Sequence, residues 1–349
     1  MKQIETDVNE KLIPVPANIT SVLRGVWSMG ALTAATNLKI FDALADGPEK
    51  AEVIAERCGI TLAAARVIAR ALAGLDLLTL EPLSECFSLS EEAAIYLVSD
   101  QPLYLGHYIE VHSKIQSHWQ SLEQVARSGE PVTRVNEEGD AQSFFPALAA
   151  SLFAMNYSHA SQVADRFQAL IPENRPFRVL DLACGSGVWS IPLAKESAGV
   201  KVDALDFEAV LDVTRRFTEN NGVAHSYQYL AGDWRQVELG EERYDLVLLG
   251  HILHSEGIED SGALLDAVTR ALKKGGHVVI AEFVIGDCGT KPAAVAMFAI
   301  NMFILTSRGC IFSQKELSNM LKDRGYENIE PLAENTSYEA MVLIGKKKS

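Results

Sequence analysis

The chain is short of cysteine, of positive charge and of long apolar runs, and each shortage removes a class of protein. Its five cysteines (Cys58, Cys86, Cys184, Cys288 and Cys310) are scattered and odd in number, with no Cys-x-x-Cys pair. Zinc clusters and disulfide frameworks need thiols at short, regular intervals, so neither is expected, and a reducing, cytoplasmic setting is. Lys and Arg number 31 against 46 Asp and Glu, a net charge of -15. Nucleic acid and anionic membrane both reward a basic face, so neither is an expected partner. No uninterrupted run of about 18 apolar residues occurs, so no membrane-spanning helix is expected. The opening Met1-Lys-Gln-Ile-Glu-Thr-Asp7 lacks the basic-then-apolar order of a secretion signal, and none is expected there. What is present is apolar mass: 349 residues, 48% of them hydrophobic, are enough for two cores.

The first half has helical periodicity. Val22–Thr36 carries apolar residues at helical spacing and Leu38–Leu44 continues it. Two short helices, Lys50–Cys58 and Thr61–Leu75, flank the turn Cys58-Gly-Ile-Thr61, with Thr61 placed to cap the second. Leu77–Leu80 and Cys86–Leu89 are spaced as the two strands of a small wing. A winged helix raises the question of DNA binding, but the second helix offers only Arg66 and Arg70, too few cations for phosphate contacts. Tyr104–Ser128 is expected as one long helix bearing His107, His112, His118 and Trp119; its histidines share no strict face and have no completing carboxylate, so no metal site is expected. A loop at Ser128–Asp140 and a helical stretch at Phe144–Leu170 follow. Ile171-Pro-Glu-Asn-Arg-Pro176, with two prolines and no periodicity, marks the expected boundary between domains 1–170 and 171–349.

Beyond it the period changes. Arg178–Leu182, Val200–Leu205, Tyr227–Leu230, Tyr244–Leu249 and His277–Phe283 have strand character, with helices at Ala209–Asn221 and Gly262–Lys273 between them. Such alternation predicts a parallel, Rossmann-like doubly wound α/β sheet, with Met341–Gly345 as a late edge strand.

The chemistry sits at the predicted strand tips. Arg178-Val-Leu-Asp-Leu-Ala-Cys-Gly-Ser-Gly187 ends an apolar run in a Gly-x-Gly turn, and Asp206 closes the next strand. The glycines admit a ligand close to the backbone, and a carboxylate at that distance can accept ribose hydroxyls. Ser190 stands where a dinucleotide fingerprint has its third glycine. Cys184, with no base beside it, is expected to be a small packing residue. Gly232, Asp233 and Trp234 follow the third strand, where a carboxylate can accept an adenine amino group and an aromatic can pack on the ring. The fourth strand ends at Gly250, His251 and His254, and the fifth carries Glu282. A histidine oriented by a carboxylate is a general base suited to neutral pH; His251, one turn earlier, is expected to pack.

With these segments in order, the chain resembles the class I S-adenosylmethionine-dependent methyltransferases of the small-molecule O-methyltransferase type. Residues 20–95 are similar to that family's mainly helical, winged-helix-like dimerisation domain and 144–349 to its catalytic half. The resemblance implies S-adenosyl-L-methionine bound through Asp181, Gly185, Gly187, Asp206, Phe207, Gly232, Asp233, Trp234 and Gly250. It implies His254 as base with Glu282 orienting it, and S-adenosyl-L-homocysteine as product. A small acceptor, aromatic or polyketide-like, would meet Phe298–Thr306, including Asn301 and Met302, with His107, Met155 and Asn156 as further contacts. A homodimer through the N-terminal domain is implied as well. The chain departs from the plant-type pattern in having Ser255 and Glu256 after the histidine, Gly250 in place of a lysine, and Ile311 in place of a second orienting glutamate. Transfer to carbon, a reaction without methyl transfer, an NAD-dependent oxidoreductase and a ligand-sensing winged-helix regulator therefore remain as alternatives. The missing third glycine favours a donor without phosphates over NAD.

Overall fold

A computed structural model describes residues 16–135, 138–332 and 340–349; the opening residues considered above for a secretion signal lie outside them. The chain divides into two compact units, Met1–Tyr104 and Leu105–Ser349.

In the first unit the order is α1 (Ala17–Asn37), β1 (Glu49–Lys50), α2 (Ala51–Cys58), α3 (Leu62–Gly74), β2 (Leu78–Glu81), β3 (Cys86–Leu89) and α4 (Glu91–Tyr96). Thr61 caps α3, its hydroxyl accepting from the Ala64 N–H at 3.2 Å, so the expected signal and the observed cap coincide. β1, β3 and β2 form a small antiparallel sheet, the expected wing with one added strand. Ile40, Phe41, Leu44, Ile54, Leu72 and Leu78 make its core. α1 contributes little to it: Ala35 is its buried residue, while Val22 and Trp27 are 78% and 72% exposed.

The second unit opens with four helices, α5 (Gly106–Trp119), α6 (Leu122–Ser128), α7 (Glu138–Ser151) and α8 (Phe153–Gln168). The expected helix over Tyr104–Ser128 is thus interrupted at Gln120–Ser121, and the one over Phe144–Leu170 at Leu152. Then follow β4 (Phe177–Leu182), α9 (Ile191–Glu196), β5 (Val200–Asp206), α10 (Glu208–Asn220), β6 (Tyr227–Ala231), β7 (Tyr244–Gly250), α11 (Leu253–Ala271), β8 (Leu272–Ile285), α12 (Ala293–Leu305), β9 (Phe312–Ser313), α13 (Gln314–Lys322), β10 (Tyr326–Pro331) and β11 (Ala340–Lys347).

The strand order is β10-β11-β8-β7-β4-β5-β6, with β9 beside β8; β11 runs antiparallel to both its neighbours, β10 and β8, and the other pairs are parallel. Parallel strands connected by helices are covered on both faces, and alternate residues of β4 serve one core each. Phe177 and Val179 pack with Phe153, Val163 and Phe167 of α8, while Leu180 and Leu182 pack with Leu264 and Leu265 of α11. That packing makes α8 part of the sheet's own core, which is why the compact units divide at residue 104. Residues 170 and 171 mark only the passage from helices to sheet. Met341–Gly345 is not at an edge: β11 lies between β8 and β10, because the polar Tyr326-Glu-Asn-Ile-Glu-Pro331 forms a strand that hydrophobic patterning does not reveal.

The chain leaves β4 toward β5 and β6, then returns across it to β7. At this reversal the loops after β4 and β7 diverge and open a crevice at their carboxyl ends.

Candidate active site

The loop after β4 turns through three left-handed residues: Ala183 at φ 54°, Gly185 at 56° and Gly187 at 75°. A side chain at Gly187 would press on the Thr214 methyl at 3.2 Å, so both conformation and space require glycine there. Asp206 ties the loop to β5: it accepts from the Gly185 N–H at 2.9 Å and from the Phe207 N–H at 2.8 Å. Burial pushes the Asp206 carboxyl up to about 6, against the pull of those two N–H donors. Cys184 is buried, its sulfur 3.5 Å from the Thr214 hydroxyl, a packing role as expected from its surroundings.

Ser190 shows why a third glycine is dispensable. Its hydroxyl donates to the buried Asp181 carboxylate at 2.5 Å and pairs with the Tyr227 hydroxyl at 2.8 Å. Asp181, Ser190 and Tyr227 thereby join β4, the start of α9 and β6 under the loop. Burial pushes Asp181 up to about 7, the Ser190 bond opposing and the Asp206 charge adding to it.

At the tip of β6, Gly232 sits at φ 144° with its N–H on the Asp206 carbonyl at 3.0 Å. Asp233 accepts from the Arg235 backbone N–H at 2.8 Å and from its guanidinium at 3.1 and 3.2 Å. The same guanidinium pairs with Glu256 and with Asp260 and lies 4.7 Å over the Trp234 ring. Local sequence does not encode this four-residue network, because Asp233 and Glu256 come from different strand tips.

The tip of β7 carries the histidines. α11 is broken at Gly257 (φ 80°, ψ 179°), where a side chain would collide with the Arg308 carbonyl at 2.3 Å. The turn Leu253–Glu256 is therefore separate from the rest of the helix and presents His254. Its Nδ1 is 2.7 Å from Glu282 Oε2, and its backbone N–H donates to Oε1 at 3.3 Å. A carboxylate can only accept, so Nδ1 carries the proton and Nε2 is left to take one. Glu282 has no exposed surface. Burial alone would raise its carboxyl, but the charge and hydrogen bonds of His254 hold it below the usual range. Phe298 stands edge-on to the His254 ring at 5.0 Å, and Phe283 lies 4.5 Å from Phe298.

His251, expected to pack, reaches the cavity. It adopts φ 60°, its ring is 4.8 Å from Phe283, and its Nε2 is 3.2 Å from Asn156 Oδ1. Burial pushes it down to about 4, so it is neutral at physiological pH. His251, His254 and Glu282 place ligand-type atoms within 4.8 Å of one another.

A single cavity of about 250 Å³ joins these parts. One end is walled by Gly185, Asp206, Phe207, Gly232, Asp233, Trp234 and Gly250, the other by His254, Phe283, Phe298, Asn301 and Met302. Glu282 stands behind His254, and neither Asp181, beneath the loop, nor Gly187, within it, lines the cavity. Three expected substrate contacts are placed elsewhere: His107 is exposed on α5, Met155 is half-buried on α8, and Asn156 is buried against His251. α5 turns Tyr108 and His112 inward instead, one helical turn apart, and α7 supplies Phe144 and Phe145. The spacing of Tyr108, His112 and Ile115 was the available signal for that face.

Residues 152–327 match the O-methyltransferase domain and residues 20–99 the O-methyltransferase dimerisation domain. The chain is 26% identical over 323 residues to the 3-hydroxy-5-methyl-1-naphthoate 3-O-methyltransferase of Streptomyces sahachiroi, covering 90% of each. It is 24% identical over 338 residues to the tetracenomycin polyketide synthesis 8-O-methyl transferase TcmO of Streptomyces glaucescens, covering 95% of this chain and 97% of that one. Its fold is that of the human N-acetylserotonin methyltransferase solved in complex with SAM, at a TM-score of 0.78 and 18% identity, covering 98% of this chain and 100% of that one.

Proposed function

The chain belongs to the O-methyltransferase family, and from that premise we propose that it moves the methyl group of S-adenosyl-L-methionine to a hydroxyl of a small aromatic or polyketide-like metabolite. The observation that carries this is the continuity of the cavity from the Gly185–Asp206 loop to His254. Donor and acceptor can meet in it with the hydroxyl beside the base.

The residues present fit this cofactor. Asp206 offers a half-buried carboxylate to ribose hydroxyls, Asp233 an acceptor for an adenine amino group, and Trp234 a flat face for the ring. Among the described lining residues Arg235 is the one permanent cation, and Asp233, Glu256 and Asp260 already neutralise it. A dinucleotide diphosphate would find no cation at the loop, whereas a methyl donor without phosphates needs none. When bound, S-adenosylmethionine supplies an electrophilic methyl group on a sulfonium. His254 Nε2 takes the acceptor's hydroxyl proton, and Glu282 fixes the tautomer that makes this possible and stabilises the imidazolium formed. Phe283 and Phe298 restrict the acceptor ring beside His254, so alignment adds to the rate.

Residues 171–349 form the cofactor-binding half. The helices before them supply the lid over the acceptor and, through α1, a homodimer contact: Val22, Val26 and Trp27 leave an apolar stripe exposed that a second copy would cover. A cytoplasmic setting accords with five free cysteines and with the absence, among the described residues, of a helix long and apolar enough to cross a membrane.

The test is calorimetry with S-adenosyl-L-methionine and with NAD, followed by transfer of labelled methyl to a phenolic panel. Binding of the methyl donor alone, and label recovered as an aryl methyl ether, is the expected result. Failure to bind the donor defeats the proposal.

A further inference from the structure

Besides its histidines, the acceptor end of the cavity contains a polar side chain whose orientation can be deduced, that of Asn301. Phe298, Asn301, Met302 and Leu305 fall at i, i+3, i+4 and i+7 along α12, a single stripe facing the cavity, and Asn301 is its one polar member. Across from it, the Trp119 indole nitrogen of α5 donates to Asn301 Oδ1 at 2.6 Å. An indole N–H can only donate, so the amide oxygen must face Trp119. The amide nitrogen is thereby turned away from Trp119, with two N–H donors and no hydrogen bond to any described residue.

Charge narrows the partner of that donor. Arg235, the permanent cation among the described lining residues, lies at the Trp234 end and is matched by three carboxylates. Burial lowers His112 and His251 below the usual histidine range, so neither offers a positive charge at neutral pH. An acceptor carrying a carboxylate would be stripped of water with no permanent cation beside it, an unfavourable exchange, and an imidazolium formed at His254 is already matched by Glu282. A neutral carbonyl oxygen needs only the amide donor.

We propose that Trp119 is a positioning residue that presents the Asn301 amide nitrogen to the acceptor. The substrate class it selects is an uncharged aromatic bearing a carbonyl oxygen (ketone, quinone or ester) in addition to the hydroxyl that is methylated. The inference rests on the methyl-transfer reading above and refines its substrate.

The experiment uses the full-length enzyme with three matched probes: the methyl ester of 6-hydroxy-2-naphthoic acid, the free carboxylate, and 6-methyl-2-naphthol. Affinity for S-adenosylhomocysteine is measured first, then kcat/KM for each probe. The ester is expected to exceed both others by about tenfold, the value of one hydrogen bond of about 1.4 kcal/mol. Trp119→Phe, which keeps the ring and removes the donor, is expected to abolish the ester preference over the methyl probe. Asn301→Asp, which keeps an oxygen toward Trp119 and removes the amide donor, is expected to do the same, and both variants keep the wild-type affinity for S-adenosylhomocysteine. The inference is overturned if the carboxylate matches the ester, if the preference survives in both variants, or if the enzyme binds S-adenosylhomocysteine but methylates none of the probes. Absence of S-adenosylhomocysteine binding would instead overturn the methyl-transfer reading itself, and this inference with it.

Discussion

The indole of Trp189 fills the space that a side chain at position 250 would need: a methyl group at Gly250 would stand 2.3 Å from Cδ1 and Nε1 of the ring. The resemblance noted above has a lysine at this position in many plant-type members. Here the buried Trp189 (4% exposed) and Gly250 form a matched pair, and a cofactor-facing cation is replaced by packing.

That pairing predicts non-additive stability. Gly250→Ala should destabilise the protein by about 1–3 kcal/mol, the usual penalty for overpacking. Trp189→Leu alone should destabilise it through the cavity it leaves. The double variant should lose less than the sum, with a coupling of about 0.5–3 kcal/mol in a urea-denaturation cycle. Simple additivity would show that the two residues do not share this space.

Removal of the base should separate binding from chemistry. His254→Ala is expected to lower kcat by about 10²–10⁴, the range for loss of a general base, with the affinity for S-adenosylmethionine unchanged. Glu282→Gln keeps an acceptor for Nδ1–H but removes the charge that stabilises the imidazolium, so a smaller fall in kcat is expected. Calorimetry and single-turnover assays distinguish the two effects. Full turnover by His254→Ala would remove the proton-transfer role.

The strand tips were the legible part of this molecule because each is announced locally. Gly185, Asp206, Asp233 and His254 each close an apolar run, and period-two or buried-run patterning finds such runs without knowing what they pack against. The helical wall of the cavity was not legible in the same way. His107 and His112 lie on one helix with similar local sequence, and only the way α5 packs against α12 turns His112 inward and leaves His107 exposed. The Arg235 network and the Trp119–Asn301 bond join residues 25 and 182 positions apart, and no local pattern encodes either. β10 escaped for the opposite reason: its residues are mostly polar and exposed, and its backbone pairing with β11 makes it a strand.

The exposed stripe of α1 predicts an association that charge can break. Val22 and Trp27 are 78% and 72% exposed in the single chain, large apolar groups that a monomer would leave in water. Light scattering is expected to give the mass of a dimer for the wild type and of a monomer for Val22→Glu combined with Trp27→Glu. A wild-type mass equal to one chain would show that α1 is not a dimer contact.

Asp181 should make stability fall as pH rises. Its ordinary carboxyl value is 3.8, and burial raises it to about 7 in the folded protein, with the Ser190 hydroxyl bond only partly compensating. Between these values the folded chain holds a proton that the unfolded chain has lost. Linkage then requires stability to decrease with rising pH across that window and to level off above it. Asp181→Asn removes the charge while keeping an oxygen that can accept from Ser190. The variant should therefore melt at a higher temperature than wild type at pH 8, and the difference should shrink steadily toward pH 4. Scanning calorimetry at four or five pH values without cofactor measures it directly. A melting difference independent of pH would mean that Asp181 does not titrate in this range, and that the contacts around Ser190 and Tyr227 keep it ionised throughout.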